Sequence, residues 1–311
     1  MAITAAMVKE LREMTGAGMM DCKKALNETN GNMGEAVEFL RKNGQAKAEK
    51  KASRIAAEGL CMVVTKDDQT AAVVEVNSET DFVAKNATFQ EFVKAVATQA
   101  VNSDAADMDA FMTEKWNEDA SKTVSEALVE KVAVIGENLK IRRFEKVVAE
   151  HGCVVPYVHG GGRIGVIVDA DTDVVNDTVK EAMHNIAMQI AALNPKYVSR
   201  DEVSADYIAH EKEILLAQIM NDPKESQKPE KVINGMIEGR ISKELKEVCL
   251  VDQVYVKAED GKQTVAKYLE EVSKAVGGTV KVKRFVRFET GEGLEKKQED
   301  FAAEVAAQMN A

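Results

Sequence analysis

The spacing of apolar residues changes near residue 58, and this change constrains the fold more than any other feature of the chain. Before it, apolar residues recur at the three- and four-residue steps of a helix. After it, Leu60 to Thr65 and Ala71 to Val76 have the composition of two strands, and they flank a turn-like segment at residues 66–68. A helical pattern follows from about Ala87 to Val101. The chain is therefore predicted to have an α+β fold with a separate helical module at its N-terminus.

Residues 1–54 are predicted to contain this module, built from three short helices, and a linker. Thr4 is a suitable N-cap for the first helix, and a glycine turn ends it. The second helix is expected to stop at Asn30-Gly31-Asn32 and the third before Asn43-Gly44. Residues 45–54 are charged and nearly free of large apolar side chains, so an exposed helical linker is expected there.

A weak internal repeat divides the following part of the chain. Ala72 to Asp81 aligns with Ile164 to Asp173 at an offset of 92 residues, and the next helices align after a slip of two residues. We therefore expect a core of two similar α+β subdomains. These are residues 55–145 for the first, and residues 146–198 with 242–289 for the second.

Residues 199–241 interrupt the second subdomain with a heptad-like spacing of apolar residues. Asn221 to Pro229 is polar and contains two prolines, so one helix is expected to end there and another to return. This segment is predicted to be an inserted antiparallel helical hairpin. Residues 290–311 are predicted to form a C-terminal helical segment, because Phe301, Val305 and Met309 lie four residues apart.

The charge of the chain limits its partners. It has 41 Lys and Arg residues against 52 Asp and Glu residues, a net charge of −11, which argues against nucleic acid and anionic membranes as ligands. No stretch approaches the roughly 18 apolar residues of a membrane span, and the N-terminus lacks a signal-peptide pattern. The four cysteines are scattered, so buried, reduced thiols in a cytoplasmic protein are expected.

The sequence contains no recognisable constellation of catalytic or metal-binding residues. Gly160 to Gly165 matches a dinucleotide-binding fingerprint, but a strand-like run follows where the fingerprint needs a helix. A flexible loop or the entry to a hairpin is therefore favoured, with a nucleotide-dependent enzyme as the alternative. We expect no catalytic residue, metal, cofactor or directly bound nucleotide. His159, beside this loop, either contacts a partner or caps its own loop.

Two apolar features have no obvious place in a core. Met19 and Met20 are adjacent at the start of a helix, where successive residues point about 100° apart, so one is expected to pack inward and the other to contact a partner. Phe82 follows Asp81 where a strand gives way to a loop. It is either a core residue beneath a helix N-terminus or an exposed binding residue, and the residues alone leave both open.

These two places carry the motifs of a known family. Thr15 to Leu26 (TGAGMMDCKKAL) and Glu75 to Lys85 (EVNSETDFVAK) closely resemble bacterial elongation factor Ts. Similar stretches, from one end of the chain to the other, are IGENLKIRR at 135–143, HGGGRIGV at 159–166, IEGR at 237–240 and DFAAEVAA at 300–307. The family consists of guanine-nucleotide exchange factors for elongation factor Tu. The resemblance implies a UBA-like three-helix module, two α+β subdomains, a helical hairpin and a C-terminal segment.

The resemblance also implies a partner and a set of binding residues. The partner is elongation factor Tu carrying GDP, whose release the chain is expected to promote. The loop that disturbs the Mg²⁺ and phosphate site of Tu corresponds to Thr80, Asp81, Phe82 and Val83. The contact with a helix of the GTPase domain corresponds to Arg12, Met19 and Met20, with Met236 and Ile237 as a second patch on that helix. His159 is similar to a family residue near the interface.

The sequence leaves two further alternatives open. The N-terminal module has the size of a general peptide- or ubiquitin-like-binding adaptor, which would give the chain a different partner. The oligomeric state is also open, because a homodimer or a 2:2 complex with Tu fits the resemblance as well as a monomer.

Overall fold

The computed structural model describes residues 3–295. Its helices are α1 (Ala5–Thr15), α2 (Met19–Glu28), α3 (Met33–Lys51), α4 (Asp81–Ala84), α5 (Ala87–Asn102), α6 (Met108–Thr113), α7 (Val124–Ile135), α8 (Asp177–Leu193), α9 (Ala205–Asn221), α10 (Glu230–Val248) and α11 (Val265–Val276). Its strands are β1 (Glu58–Thr65), β2 (Thr70–Ser78), β3 (Lys115–Trp116), β4 (Asp119–Thr123), β5 (Lys140–Val148), β6 (Cys153–His159), β7 (Ile164–Thr172) and β8 (Val280–Glu289). The predicted α+β fold is confirmed. Residues 296–311, which make up most of the predicted C-terminal helical segment, lie outside the described residues.

Helices α1 to α3 form the predicted N-terminal module around a small core of their own. The hydroxyl of Thr4 accepts a hydrogen bond from the amide of Met7 (3.3 Å) and so caps α1 as expected. Leu11, Cys22 and Leu26 are fully buried between the helices. The module is thus held together by apolar contacts within its first 40 residues or so.

The third helix does not stop before Asn43-Gly44, and this prediction is wrong. Helix α3 continues through Gly44, where an added Cβ would lie 3.5 Å from the Cβ of Ala133 on α7. Beyond it, the ammonium group of Lys47 donates to Asp21 (2.8 Å) and that of Lys51 donates to the carbonyl oxygen of Gly136. Gly44 is therefore a buried residue that packs against α7 instead of ending the helix. Residues 45–51 are helical and mostly exposed, as expected, and Lys51 ties their end to the core.

Two three-stranded antiparallel sheets form the core. Their strand orders are β1-β2-β5 and β6-β7-β8. The outer face of the first sheet packs on α5 and that of the second on α8. The inner faces meet in a cluster that includes Cys61, Val73, Ile167 and Phe288, so the layers follow the order helix, sheet, sheet, helix. The two similar halves expected from the repeat are present.

The two sheets repeat each other in detail. Glu75 on β2 pairs with Arg143 on β5 at a β-bulge, and Asp169 on β7 pairs with Arg284 on β8 at the corresponding bulge. Gly59 in β1 and Gly152 just before β6 also correspond, since an added Cβ at each would lie 2.1 Å from a carbonyl oxygen of the central strand, that of Val76 or of Ala170. The central strands of the two halves are therefore related by an offset of 94 residues.

This offset corrects the alignment predicted from the sequence. The buried residues Gln99 on α5 and Gln189 on α8 are equivalent, as predicted, at an offset of 90 residues. The chain thus slips by four residues between strand and helix, and the predicted offset of 92 with a slip of two is wrong. The four extra residues of the first half are those of helix α4. The offsets of 92 and 94 residues differ by two, which is the period of a strand. Both alignments therefore match inward-facing residues with inward-facing residues, and the sequence alone did not distinguish them.

Glu75 forms a buried ionic centre between the two sheets. Its carboxylate is fully buried and accepts hydrogen bonds from Arg142 (3.0 Å), Arg143 (2.6 Å), the side chain of Asn77 (3.0 Å) and the amide of Gly291 (2.8 Å). Burial acts to raise the pKa of Glu75, but these hydrogen bonds and the arginine charges outweigh it and lower the pKa below its usual value. The charged form of Glu75 therefore stabilises the folded chain.

The stability of the protein should fall in acid partly because of this group. The folded-state pKa of Glu75 is lower than the unfolded one, so the stabilisation is complete above the unfolded pKa and is lost as the pH falls through the folded pKa. We expect urea midpoints to drop between about pH 5 and about pH 3 more steeply in the parent than in Glu75→Gln. Parallel slopes for the two proteins would contradict this assignment.

The predicted helical hairpin is formed by α9 and α10. Its interior contains Ile219 and Ile233 among other apolar residues, and α10 continues beyond Ile241 to Val248. The guanidinium of Arg240 donates twice to the carboxylate of Glu225 (2.9 and 2.7 Å), which ties the polar connection to α10.

Candidate partner-binding surface

Helix α4 is a four-residue element that presents one large apolar side chain to solvent. The hydroxyl of Thr80 caps it by accepting from the amide of Val83. Phe82 is 80% exposed, so of the two alternatives left open by the sequence, the core residue is excluded. The helix begins at Asp81, the residue after the cap.

The remainder of α4 is fixed to the core. Ala84 is buried and Val83 is half-buried against the cluster beneath the first sheet. Lys85 donates to Asp81 (2.6 Å), and this hydrogen bond, followed by the charge of Lys85, lowers the pKa of Asp81. Phe82 therefore protrudes from a well-supported element, which limits the entropy it would lose on binding.

The glycine loop lies beside α4. Gly160 to Gly162 form the turn between β6 and β7, and a strand follows, as predicted. Asp81 and Lys85 line one side of a cleft of about 370 Å³, while Gly160 and Arg163 line another side. The structure thus brings the α4 segment and this loop together.

His159 is exposed at the end of β6, next to the glycine turn. Its Nδ1 lies 2.8 Å from the hydroxyl of Tyr157. This contact fixes the ring in part and leaves its outer edge accessible. His159 is thus placed at the side of the cleft, although it is not one of the lining residues.

The N-terminal module presents a second apolar surface. Met19 is 59% exposed and Met20 is 72% exposed, so the expectation that one of them packs inward is wrong. Both belong to the first turn of α2, and the interior is filled by Cys22, Ala25 and Leu26 further along the helix. Arg12 is exposed on α1. Met14, which the sequence analysis did not assign to this surface, is 63% exposed on the same helix.

The hairpin residues are less accessible than the other candidates. Ile237 is only 6% exposed and packs in the interior of the hairpin, while Met236 is half-buried beside it. Of this pair, Met236 alone offers surface to a partner. Val232, one turn earlier on α10, is 46% exposed and adds apolar surface that the motif did not point to.

Sequence reasoning also missed Glu137, which contacts the base of α4. Its carboxylate accepts from the amides of Glu79 (3.0 Å) and Thr80 (3.1 Å) and from the hydroxyl of Thr80 (2.7 Å). Glu137 is 57 residues from Thr80 in the chain, so no local pattern relates them. Its only signal was its place in the IGEN motif.

The described residues offer little for covalent chemistry. Within residues 3–295, no three or more His, Cys, Asp and Glu side chains are grouped to hold a metal ion. All four cysteines are free and buried, and burial raises the pKa of Cys61 to about 11 despite its hydrogen bond with Thr290.

Among residues 3–295, no helix is long and apolar enough to cross a membrane. The exposed apolar residues on α2 and α4 indicate a protein-binding factor.

Comparisons with known proteins identify the family. The model of the family described as Elongation factor TS matches residues 79–292. Similar curated proteins named Elongation factor Ts come from Clostridioides difficile (53% identical over 308 residues) and Clostridium novyi (51% over 309 residues), each covering 99% of both chains. The chain therefore belongs to the elongation factor Ts family. It is a translation elongation factor of the nucleotide-exchange class.

Proposed function

We propose that this chain binds elongation factor Tu carrying GDP in the cytoplasm, disturbs the site that holds Mg²⁺ and the phosphates, and stabilises nucleotide-free Tu until GTP binds. The observation that carries this proposal is Phe82, which is 80% exposed on a four-residue helix fixed to the core. Such a side chain can insert between elements of a partner without rearranging its own support. Asp81, Val83 and the cap Thr80 maintain its position.

Exchange follows from a coupling of two binding equilibria. A factor that binds the nucleotide-free GTPase more tightly than the GDP form must, by linkage, weaken GDP binding by the same factor. Mg²⁺ demands near-ideal octahedral geometry, so a shift of about an ångström in its supporting elements is enough to weaken its coordination. The factor itself needs no nucleotide site and no covalent step.

The other exposed surfaces supply affinity. Arg12, Met19 and Met20 on the N-terminal module form one contact with the GTPase domain, and methionines adapt well to a partner helix. Met236 on the hairpin forms a second, while Ile237 supports it from the interior. His159 contributes from the side of the cleft beside α4. One copy of the chain carries all these surfaces, so exchange does not require the homodimer or 2:2 complex that the sequence left open.

The test is stopped-flow release of a fluorescent GDP analogue from elongation factor Tu. With this chain at catalytic, substoichiometric amounts, we expect complete and accelerated release, because one molecule serves many turnovers. Spontaneous rates in the presence of folded chain would contradict the proposal. Equilibrium dialysis of the chain alone with GDP, GTP and NAD tests the alternative of a nucleotide-dependent enzyme, because such an enzyme would retain a nucleotide and an exchange factor would not.

The adaptor alternative is tested by removing residues 1–54. If the N-terminal module binds Tu, this truncated chain should bind Tu much more weakly. Unchanged exchange by a folded truncated chain would assign the module to another partner. Circular dichroism of the truncated chain serves as the folding control.

A further inference from the structure

The carboxylate of Glu137 holds the N-terminal end of the α4 segment through three hydrogen bonds, beside a fourth in which the hydroxyl of Ser78 donates to the carbonyl oxygen of Thr80 (3.0 Å). It accepts from the amides of Glu79 and Thr80 with one oxygen and from the Thr80 hydroxyl with the other (2.7 Å). Bonds to a charged acceptor are stronger than those between neutral groups. The residue lies just after the C-cap Gly136 of α7, on the rigid connection to β5.

Thr80 transmits this contact to the helix. Its hydroxyl has one proton, and it donates that proton to Glu137. The oxygen lone pairs then face the amide of Val83 and cap α4. A four-residue helix is too short to be stable by its own hydrogen bonds, so the direction of Phe82 depends on this cap.

The second half of the molecule provides an internal comparison. The helix α11 corresponds to α7, because each begins after a capping threonine, Thr264 and Thr123, and ends at a left-handed glycine, Gly277 and Gly136. These pairs have the offset of 141 residues that also relates Arg143 to Arg284. The position equivalent to Glu137 is therefore Gly278.

The residue that faces this position also differs between the two halves. Thr80 corresponds to Val174 at the strand offset of 94 residues, and a Cβ at Gly278 would lie 2.7 Å from a methyl carbon of Val174. The second half has no helix at this place, since Asn176 caps α8 only two residues after Val174. The half that has α4 thus has a carboxylate beneath it, and the half that lacks α4 has a glycine.

We infer that Glu137 is a positioning residue for nucleotide exchange, which holds the Thr80 cap and so fixes the direction in which Phe82 enters the partner. This inference rests on the proposed function. Glu137 touches neither nucleotide nor metal, and it acts on the partner through Phe82. Its removal lowers the maximal rate of exchange more than it lowers affinity, because the Met19 and Met20 surface is unchanged.

The experiment compares Glu137→Ala, Glu137→Gln and the control Glu130→Ala in GDP release from elongation factor Tu at increasing concentrations of the chain. Glu130 is also a carboxylate of the α7 region, but it pairs with Lys122. We expect about a tenfold lower maximal rate for Glu137→Ala, a rate within about threefold of the parent for Glu137→Gln, whose amide oxygen still accepts from the backbone, and no change for Glu130→Ala. An unchanged maximal rate in Glu137→Ala would overturn the inference.

A double-mutant cycle separates positioning from a general structural effect. In the Phe82→Ala background, Glu137→Ala should reduce the rate by less than about twofold, because there is no longer a phenyl ring to direct. A full additional tenfold loss would overturn the inference.

Amide hydrogen–deuterium exchange of the free chain tests, without any activity assay, whether Glu137 holds the α4 segment. The amides of residues 79–83 should exchange at least about tenfold faster in Glu137→Ala, and equal rates would overturn the inference. If the parent chain failed to accelerate GDP release, the proposed function would fall, while this measurement would still report whether Glu137 holds α4.

Discussion

Replacing Phe82 with alanine is expected to lower the exchange rate by roughly 30-fold or more, the effect of losing a central binding residue. The ring is 80% exposed in the free chain, so its removal should change the free energy of unfolding by only about 0.5 kcal/mol or less. Phe82→Ala is therefore expected to lose most of its exchange activity while keeping nearly all of its stability. That separation is unusual for a large apolar residue, which generally supports its own fold.

The measurement is stopped-flow GDP release beside urea unfolding of the same preparations. The second half of the chain offers a matched control, since Val175 occupies the place of α4 and is 43% exposed. Val175→Ala should leave both quantities at the level of the parent. Near-normal exchange by Phe82→Ala would rule out the insertion of this side chain, and equal losses in both variants would indicate a nonspecific effect of surface hydrophobicity.

Replacing Glu75 with alanine should produce the largest loss of stability among the substitutions considered. The change removes the buried carboxylate that Arg142 and Arg143 share, so that Arg143 keeps only the longer ion pair with Glu292 (3.4 Å), and it leaves the amide of Gly291 without its acceptor. Removing one partner from a buried ion pair costs about 3–5 kcal/mol, and we expect the lower end because both arginines are partly exposed. The two halves of the core should then separate more readily.

Urea denaturation at neutral pH measures this effect. Glu91→Ala is the control, because Glu91 is exposed on the outer helix α5 and its loss should change stability by about 0.5 kcal/mol at most. A loss for Glu75→Ala no larger than that of the control would show that the ionic centre contributes nothing net. Glu75→Gln should fall between the two, since its amide fills the space without the charge.

Much of the fold was predictable because local patterns determine it. Thr4 and the apolar spacing located α1, α5, β1 and β2 within a few residues. Gly44 was misinterpreted because a glycine that ends a helix and a glycine that packs against another helix look alike in sequence. The distinction depends on Ala133, which is far away in the chain.

The candidate binding surface was predictable in part. Its motifs drew attention to Phe82, Met19 and Met20, but exposure depends on tertiary packing and could be decided only from the structure. The same holds for Ile237, whose apolar character suits both a hairpin interior and a partner contact. Glu137 carried no recognisable chemistry, because a carboxylate that accepts backbone hydrogen bonds has no sequence signature.

The ionic centre between the sheets has a consequence for how the protein is made. Glu75 receives a hydrogen bond from Gly291, 216 residues later in the chain. At synthesis rates of about 5–20 residues per second, the ribosome takes roughly 10–40 s to produce that partner after Glu75. The first sheet and strands β6 and β7 are thus synthesised long before β8, so the cluster between the sheets lacks Val286 and Phe288 in the meantime. We expect aggregation or chaperone binding to compete with folding during this interval, until β8 supplies these two side chains.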